Sequence, residues 1–243
     1  MKVFGLIGRD IDYSFSRGYF SNKFEKQNLN FEYRNFDLKS INAFETIFKT
    51  PEPIGGLNVT IPYKESVIPF LDELSSDAKS IGAVNTIKLK KGKKIGYNTD
   101  HYGFSQSIKP HLKSHHETAL ILGTGGASKA VAFALNNLGI TVRFVSRKLS
   151  TSADFDYDSL NPVIINNNLI IVNCTPLGTY PNVNQYPPIP YKSLTTSHLL
   201  FDLIYNPNET QFLKFGKQAG AKTLNGLKML ELQAEKSWEI WNS

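Results

Sequence analysis

Apolar positions along this chain fall into short continuous runs and helical repeats, separated by glycine, proline and polar punctuation. Val3 to Ile7 predicts a buried strand ending at Gly8, followed by helical spacing through Tyr19, Phe20 and Phe24. Phe31 to Phe36 alternates as a second strand, and Ile41, Phe44, Ile47 and Phe48 repeat as a helix does. Ile54 to Val59 predicts a third strand, which Pro62 stops because proline cannot donate to a sheet ladder. Val67, Ile68, Leu71 and Leu74 predict a helix opening at Lys64, and Asp72 to Ile81 predicts more helix closed by Gly82. A strand pair, Val84 to Leu89 and Lys94 to Tyr97, is joined by the solvated turn Lys90-Lys91-Gly92-Lys93-Lys94. The resulting β-α-β-α-β-α-β-β order belongs to a layered α/β domain.

The polar stretch His111 to Glu117 then breaks the pattern as a crossing between domains. Thr118 to Leu122 is continuously apolar, as a buried parallel strand is, and Gly123-Thr124-Gly125-Gly126-Ala127-Ser128 follows directly. A helix through Val131, Ala132, Leu135 and Leu138 closes at Gly139. Further strands are predicted at Thr141 to Val145, Ile170 to Val172 and Leu199 to Leu203, with a helix from Glu209 to Gln218. The last helix opens at Asn225-Gly226-Leu227, and its Met229, Leu230, Leu232, Ala234, Trp238 and Trp241 lie mostly on one face as core.

Composition narrows the picture. With 243 residues, 41% hydrophobic and 20% charged, the chain is long enough for one large domain or two small ones. The net charge of +6 is spread along the chain, which favours anionic small substrates over nucleic acid. Cys174 is the single cysteine, so no intramolecular disulfide forms and a reducing, cytoplasmic setting is expected. No apolar run is long enough to predict a transmembrane helix, and the start does not resemble a secretory signal. The five histidines show no ligand spacing with carboxylates or cysteine, so no metal is expected.

Candidate chemistry gathers at strand ends. Asn58 and Thr60 are two apart and share a face in an extended segment, with Lys64 just beyond. Lys64 is either a solvated loop lysine or a proton-transfer group whose pKa a helix N-terminus would lower. Ser14 and Ser16 either grip a carboxylate or supply the cap of the following helix. Asp100 either caps a helix, which Gly103 opens, or pairs with Lys64 to move a proton on an alcohol. Strand, glycine loop and helix at Gly123–Ser128 suit a pyrophosphate on a helix N-terminus. At the end of the next strand stand Ser146, Arg147 and Lys148, with no acid, which favours the 2′-phosphate of NADP over the ribose of NAD. Gln233 is either exposed or reaches a substrate.

Taken in order, these segments resemble the shikimate dehydrogenase family along nearly the full chain. The matching pieces are Ser14-x-Ser16, Asn58-Val59-Thr60-x-Pro62-x-Lys64, Gly82-Ala83-Val84-Asn85-Thr86 and Asn98-Thr99-Asp100-x-x-Gly103. They continue with Gly123-x-Gly125-Gly126-Ala127, Ser146-Arg147-Lys148 and Asn173-x-Thr175-Pro176-Leu177-Gly178. The last are Asp202-Leu203-x-Tyr205-Asn206-Pro207 and Asn225-Gly226-Leu227-x-Met229-Leu230-x-x-Gln233-Ala234.

The resemblance implies two α/β domains, a substrate domain and a Rossmann-type NADP-binding domain, with the active site in the cleft between them. It implies residues 1–103 as the substrate and catalytic domain, residues 104–225 as the cofactor domain, and residues 226–243 as a helix packing back on the first. The implied activity is reversible NADPH-dependent reduction of 3-dehydroshikimate to shikimate, in chorismate and aromatic amino acid biosynthesis, by a monomer or homodimer. Lys64 and Asp100 match the catalytic pair, and Ser14, Ser16, Asn58, Thr60, Asn85, Tyr205 and Gln233 match substrate positions. Gly123, Thr124, Gly125, Gly126, Ala127, Ser146, Arg147, Lys148 and Thr175 match cofactor positions, and Leu203 and Gly226 positions near the nicotinamide. Lys64 acts there as a general acid or mainly through its charge.

Some positions depart from the family pattern. Tyr13 and Arg17 replace the usual histidine and proline around the paired serines, Ser-Arg-Lys replaces Asn-Arg-Thr, and the segment from Arg147 to Leu169 is short. Two rivals remain: a quinate/shikimate dehydrogenase of broader specificity, against whose use of NAD Arg147 counts, and a non-catalytic sensor of shikimate or nucleotide, against which Lys64 and Asp100 count.

Overall fold

The apolar runs near the N-terminus assemble into one mixed sheet. Its strands are β1 (Lys2–Gly8), β2 (Phe31–Asp37), β3 (Ile54–Val59), β4 (Glu73–Leu74), β5 (Thr86–Lys90) and β6 (Lys93–Tyr97), in the order β2-β1-β3-β5-β6-β4. β1 runs parallel to β2 and β3, whereas β5 is antiparallel to both β3 and β6. Lys91 and Gly92 form the β5–β6 turn with φ of 51° and 78°, the left-handed pair that a two-residue hairpin loop demands. The computed structural model describes residues 1–12, 14–149, 151 and 153–243. They divide into two units, Met1–Thr99 with Ala234–Ser243, and Asp100–Gln233.

Helix α1 (Phe15–Lys26) follows β1, and α2 (Ser76–Ile81) is held by Ser75, whose side chain accepts from Ala78 N–H, and by Gly82 at φ 71°. The helix expected to open at Lys64 does not form. Residues 64–67 are turns, Ile68–Phe70 is a short 3-10 helix, and Glu73–Leu74 pairs with β6. Pro69 is the reason: it offers no N–H, and in an α-helix its ring would strike the carbonyl four residues back. Lys64 therefore sits on a turn, without a helix dipole beneath it. Ile41–Lys49 likewise winds as a 3-10 helix, burying Phe44 and Ile47.

The second sheet is wholly parallel. It comprises β7 (Thr118–Leu122), β8 (Thr141–Ser146), β9 (Phe155–Asp156), β10 (Ile170–Asn173), β11 (Leu199–Asp202) and β12 (Lys222–Leu224), in the order β12-β11-β10-β7-β8-β9. Successive residues of β7 alternate between two cores: Ala119 and Ile121 face Val131 and Leu135, while Leu120 and Leu122 face Ile165 and Phe212. Burial on both faces explains why these strands are continuously apolar. The connecting helices are α3 (Asp100–Ile108), α4 (Gly126–Asn137), α5 (Pro162–Asn166) and α6 (Gln211–Gln218), and α7 (Leu227–Asn242) ends the chain.

α3 begins at Asp100, so Gly103 lies inside the helix rather than opening it. A Cβ on Gly103 would stand 2.5 Å from the Met229 carbonyl of α7, so close backbone packing requires glycine there. The last ten residues of the chain belong to the first unit. There Ala234 and Trp241 are buried, with Trp238 beside them, among Phe4, Phe20, Phe24 and Tyr33. Trp241 Nε1 donates to Ile87 O at 3.0 Å, and Lys23 bridges from α1 to Glu235 at 2.7 Å. Among the described residues no helix is long and apolar enough to cross a membrane.

Candidate active site

In the first unit, two of the expected substrate residues, Asn58 and Asn85, meet in a buried polar network. Asn58, on β3, is 4% exposed. Its Oδ1 accepts from Tyr33 Oη at 2.8 Å, and its Nδ2 faces Ser237 Oγ at 3.0 Å, Asn85 O at 3.2 Å and Thr86 Oγ1 at 3.3 Å. Asn85 is set just before β5, where the Thr99 backbone N–H donates to its Oδ1 at 2.7 Å and its Nδ2 donates to Thr99 Oγ1 at 2.9 Å. These bonds fix the orientation of both amides. Ser16 is not in an extended segment: it lies buried in the first turn of α1. The cap position belongs to Ser14, whose side chain makes no capping bond. Thr60 is half-buried past the end of β3, its N–H donating to Ile7 O at 2.8 Å. Lys64 is half-buried, and its carbonyl accepts from Val84 N–H at 2.7 Å, which ties its turn to the segment carrying Asn85. Arg17 donates to Asp12 O at 3.0 Å, and Tyr13 lies outside the described residues.

In the second unit, strand order reverses between β7 and β10, and the expected cofactor residues lie at the carboxyl ends of β7, β8, β10, β11 and β12. Gly123 follows β7 with φ 107°, a conformation that favours glycine, and its Cα lies against Cys174 and Thr175 beyond β10. Thr124 and Gly125 are exposed. Gly125 caps α4 with no side-chain bond, and a Cβ there would meet only open space. The first turn of α4 carries no acid, and Ser128 turns its hydroxyl back to Gly125 O at 2.6 Å. The α4 N-terminus is thus an uncapped, acid-free dipole end open to solvent, which fits a pyrophosphate. Ser146 ends β8, and Arg147 and Lys148 are exposed beyond it, in a turn closed by Lys148 N–H donating to Ser146 Oγ at 3.3 Å.

Asp202 at the end of β11 fixes the neighbouring loops. It is fully buried, accepting from Asn173 Nδ2 at 3.0 Å, Ile204 N–H at 3.1 Å and Thr210 Oγ1 at 2.6 Å. Asn173 Oδ1 in turn accepts from Thr175 N–H at 3.0 Å and Thr175 Oγ1 at 2.7 Å. Leu203 and Gly226 are in backbone contact: a Cβ on Gly226 would fall 2.0 Å from Leu203 O. Tyr205 is half-buried on the loop after β11. Gln233 is 7% exposed, its Nε2 donating to Leu230 O at 2.9 Å. Asp100, the first residue of α3, is 6% exposed.

Several participants carry little signal in the sequence. Thr86, Thr99 and Ser237 are fully buried hydroxyls of the first unit's network. Ser237 had one signal, a hydroxyl interrupting the stripe Ala234, Trp238 and Trp241; Tyr33 had none. Tyr157 follows β9, beside the Ser146 edge of the second sheet. Its buried hydroxyl has no hydrogen-bond partner among the described residues, and burial pushes its pKa to about 12.

A parallel sheet that reverses at a glycine turn, with an uncapped helix behind that turn, is the dinucleotide-binding arrangement, here joined to a second α/β unit. Comparison with known proteins narrows the class. The family model for the shikimate dehydrogenase substrate binding domain matches residues 6–87. A shikimate dehydrogenase (NADP(+)) of Methanococcus maripaludis strain C7 is 41% identical over an alignment covering 99% of this chain and 91% of that relative. A crystal structure of shikimate dehydrogenase in complex with NADP+ is similar at a TM-score of 0.88 and 35% identity, covering 99% of this chain and 90% of the other. The shikimate 5-dehydrogenase of Thermus thermophilus, in complex with NADP(H) and shikimate, matches at a TM-score of 0.88 and 28% identity, covering 99% and 93%. The chain belongs to the shikimate dehydrogenase family.

Proposed function

We propose that the protein is an NADP-dependent oxidoreductase that reversibly reduces 3-dehydroshikimate to shikimate, a cytoplasmic step toward chorismate and the aromatic amino acids. The observation that carries this reading is the open, uncapped N-terminus of α4 behind Gly123–Gly125, in a chain that is similar over 99% of its length to an NADP(+)-dependent shikimate dehydrogenase.

The first unit is read as the substrate domain and the second as the cofactor domain. Ser14, Ser16, Thr60, Asn85, Tyr205 and Gln233 are read as the side chains that hold the hydroxyls and carboxylate of shikimate. Asn58 acts through its neighbours, because its amide is engaged within the protein. Gly123 to Ala127 present backbone N–H groups to the pyrophosphate, with Thr175 packed against Gly123. Arg147, with Ser146 and Lys148, pairs with the 2′-phosphate, and the Leu203–Gly226 contact shapes the nicotinamide position. Bound NADPH supplies the hydride that reduces the C3 carbonyl. Charge developing on that oxygen is stabilised and then protonated by Lys64, while the Asp100 carboxylate orients a substrate hydroxyl.

The test is absorbance of the reduced nicotinamide with shikimate and NADP, shikimate and NAD, and quinate with each. Growth of signal with shikimate and NADP is expected. Silence in every pairing, from folded protein that binds NADP, would refute catalysis.

A further inference from the structure

We infer that Ser237, on the last helix, is a positioning residue for shikimate recognition, acting through a buried hydrogen-bond line that ends on Asn85, one of the proposed substrate side chains. The line runs Tyr33, Asn58, Ser237, Thr99, Asn85, wholly within the first unit. It rests on the functional reading above, in which Asn85 contacts substrate.

Only the amides have a fixed polarity, since a carboxamide oxygen accepts, its nitrogen donates and the Thr99 backbone N–H donates. Tyr33 Oη lies 2.8 Å from Asn58 Oδ1, which makes that oxygen the acceptor and directs Nδ2 toward Ser237 Oγ at 3.0 Å. Ser237 Oγ therefore accepts from the amide, and it lies within hydrogen-bond distance of Thr86 Oγ1 at 2.7 Å and Thr99 Oγ1 at 3.2 Å, where either hydroxyl can be the donor. Thr99 Oγ1 also accepts from Asn85 Nδ2, while the Thr99 backbone N–H fixes Asn85 Oδ1. Ser237, Thr86 and Thr99 are each 0% exposed, so bulk water does not replace a missing hydroxyl. Cooperative, low-dielectric networks of this kind hold their end groups in one orientation.

The surroundings also fix Ser237 itself. Ala234, Trp238 and Trp241 continue the same face of α7 into the aromatic core, and Trp241 is bonded to Ile87 O on β5, next to Thr86. Without the Ser237 hydroxyl, Asn58 Nδ2 retains only the two longer contacts, to Asn85 O and Thr86 Oγ1. The Asn58 amide then gains rotational freedom, and the Thr99 hydroxyl, which holds Asn85 Nδ2, loses a partner.

The experiment is steady-state kinetics on the full chain as wild type, Ser237→Ala, Ser237→Cys and Tyr33→Phe, with the melting temperature of each. Tyr33→Phe breaks the same line from the other side of Asn58 and decides the matter if Ser237→Ala fails to fold. The expected result is a rise in KM for shikimate of about tenfold in Ser237→Ala and Tyr33→Phe, as for loss of one hydrogen bond worth ~1 kcal/mol or slightly more. The KM for NADP stays unchanged, kcat falls by less than KM rises, and Ser237→Cys, which keeps a weak donor, recovers part of the loss. Folded variants with a lowered melting temperature and an unchanged shikimate KM would make Ser237 purely structural and overturn the inference. A wild type that turns over no shikimate would instead overturn the functional reading on which the inference stands.

Discussion

Asn173 donates to the buried carboxylate of Asp202 at 3.0 Å, joining the ends of β10 and β11 beneath the proposed cofactor loops. Burial pushes the Asp202 carboxyl up to about 6, against the bonds from Thr210, Ile204 N–H and Asn173 that pull it down. The folded state therefore holds this proton more tightly than the unfolded chain, whose carboxyl titrates near 3.8. Its contribution to stability is fully present below pH ~4, declines as pH rises through about 6, and is flat above, a change of about 3 kcal/mol. Urea unfolding between pH 4 and 8 should show that slope in the wild type minus Asp202→Asn; identical pH profiles for the two would contradict it.

Gly226→Ala should disrupt the second unit. Its Cβ would fall 2.0 Å from Leu203 O, a backbone atom that cannot swing away as a side chain does. A cost at or above the ~1–3 kcal/mol typical of overpacking is expected, read as a lowered urea midpoint, together with weakened NADP binding.

Arg147→Gln should change cofactor choice more than turnover. If the guanidinium pairs with the 2′-phosphate, its loss raises the KM for NADP about tenfold to a hundredfold, the range for a hydrogen bond to a charged group. The KM for NAD should stay where it was. Equal effects on both cofactors would remove Arg147 from the phosphate site.

Lys64→Ala should lower kcat by about 10²–10⁴, the usual contribution of a positioned acid, and leave the NADP dissociation constant unchanged. Near-normal turnover would end its catalytic role.

Much of this architecture is legible in the sequence where one force dominates. Thr118–Leu122, buried on both faces, is delimited to the residue by its apolar run, as is Ile54–Val59. Pattern and structure part where packing overrides periodicity. The spacing of Val67, Ile68, Leu71 and Leu74 is helical, yet Pro69 forbids the helix, and Leu71 and Leu74 instead lie where a Cβ on Gly96 would be. β4, β9 and β12 have two or three residues each, too few for a pattern. Ser14 and Ser16 alternate in sequence as one extended pair would, but the α1 boundary falls between them. The hydroxyl network is the least legible part, because Tyr33 and Ser237 meet Asn58 from 25 and 179 positions away in the chain.

The aromatic packing around α7 has a spectroscopic consequence. The chain has two tryptophans, Trp238 and Trp241, and both lie in the first unit with ring centroids 6.5 Å apart, edge to face. Intrinsic tryptophan emission is therefore a native reporter of the first unit's folding, whereas far-UV circular dichroism sums the helices of both. Following the two signals through one denaturant titration resolves, without any introduced label, whether the halves of this enzyme lose their structure together or in turn.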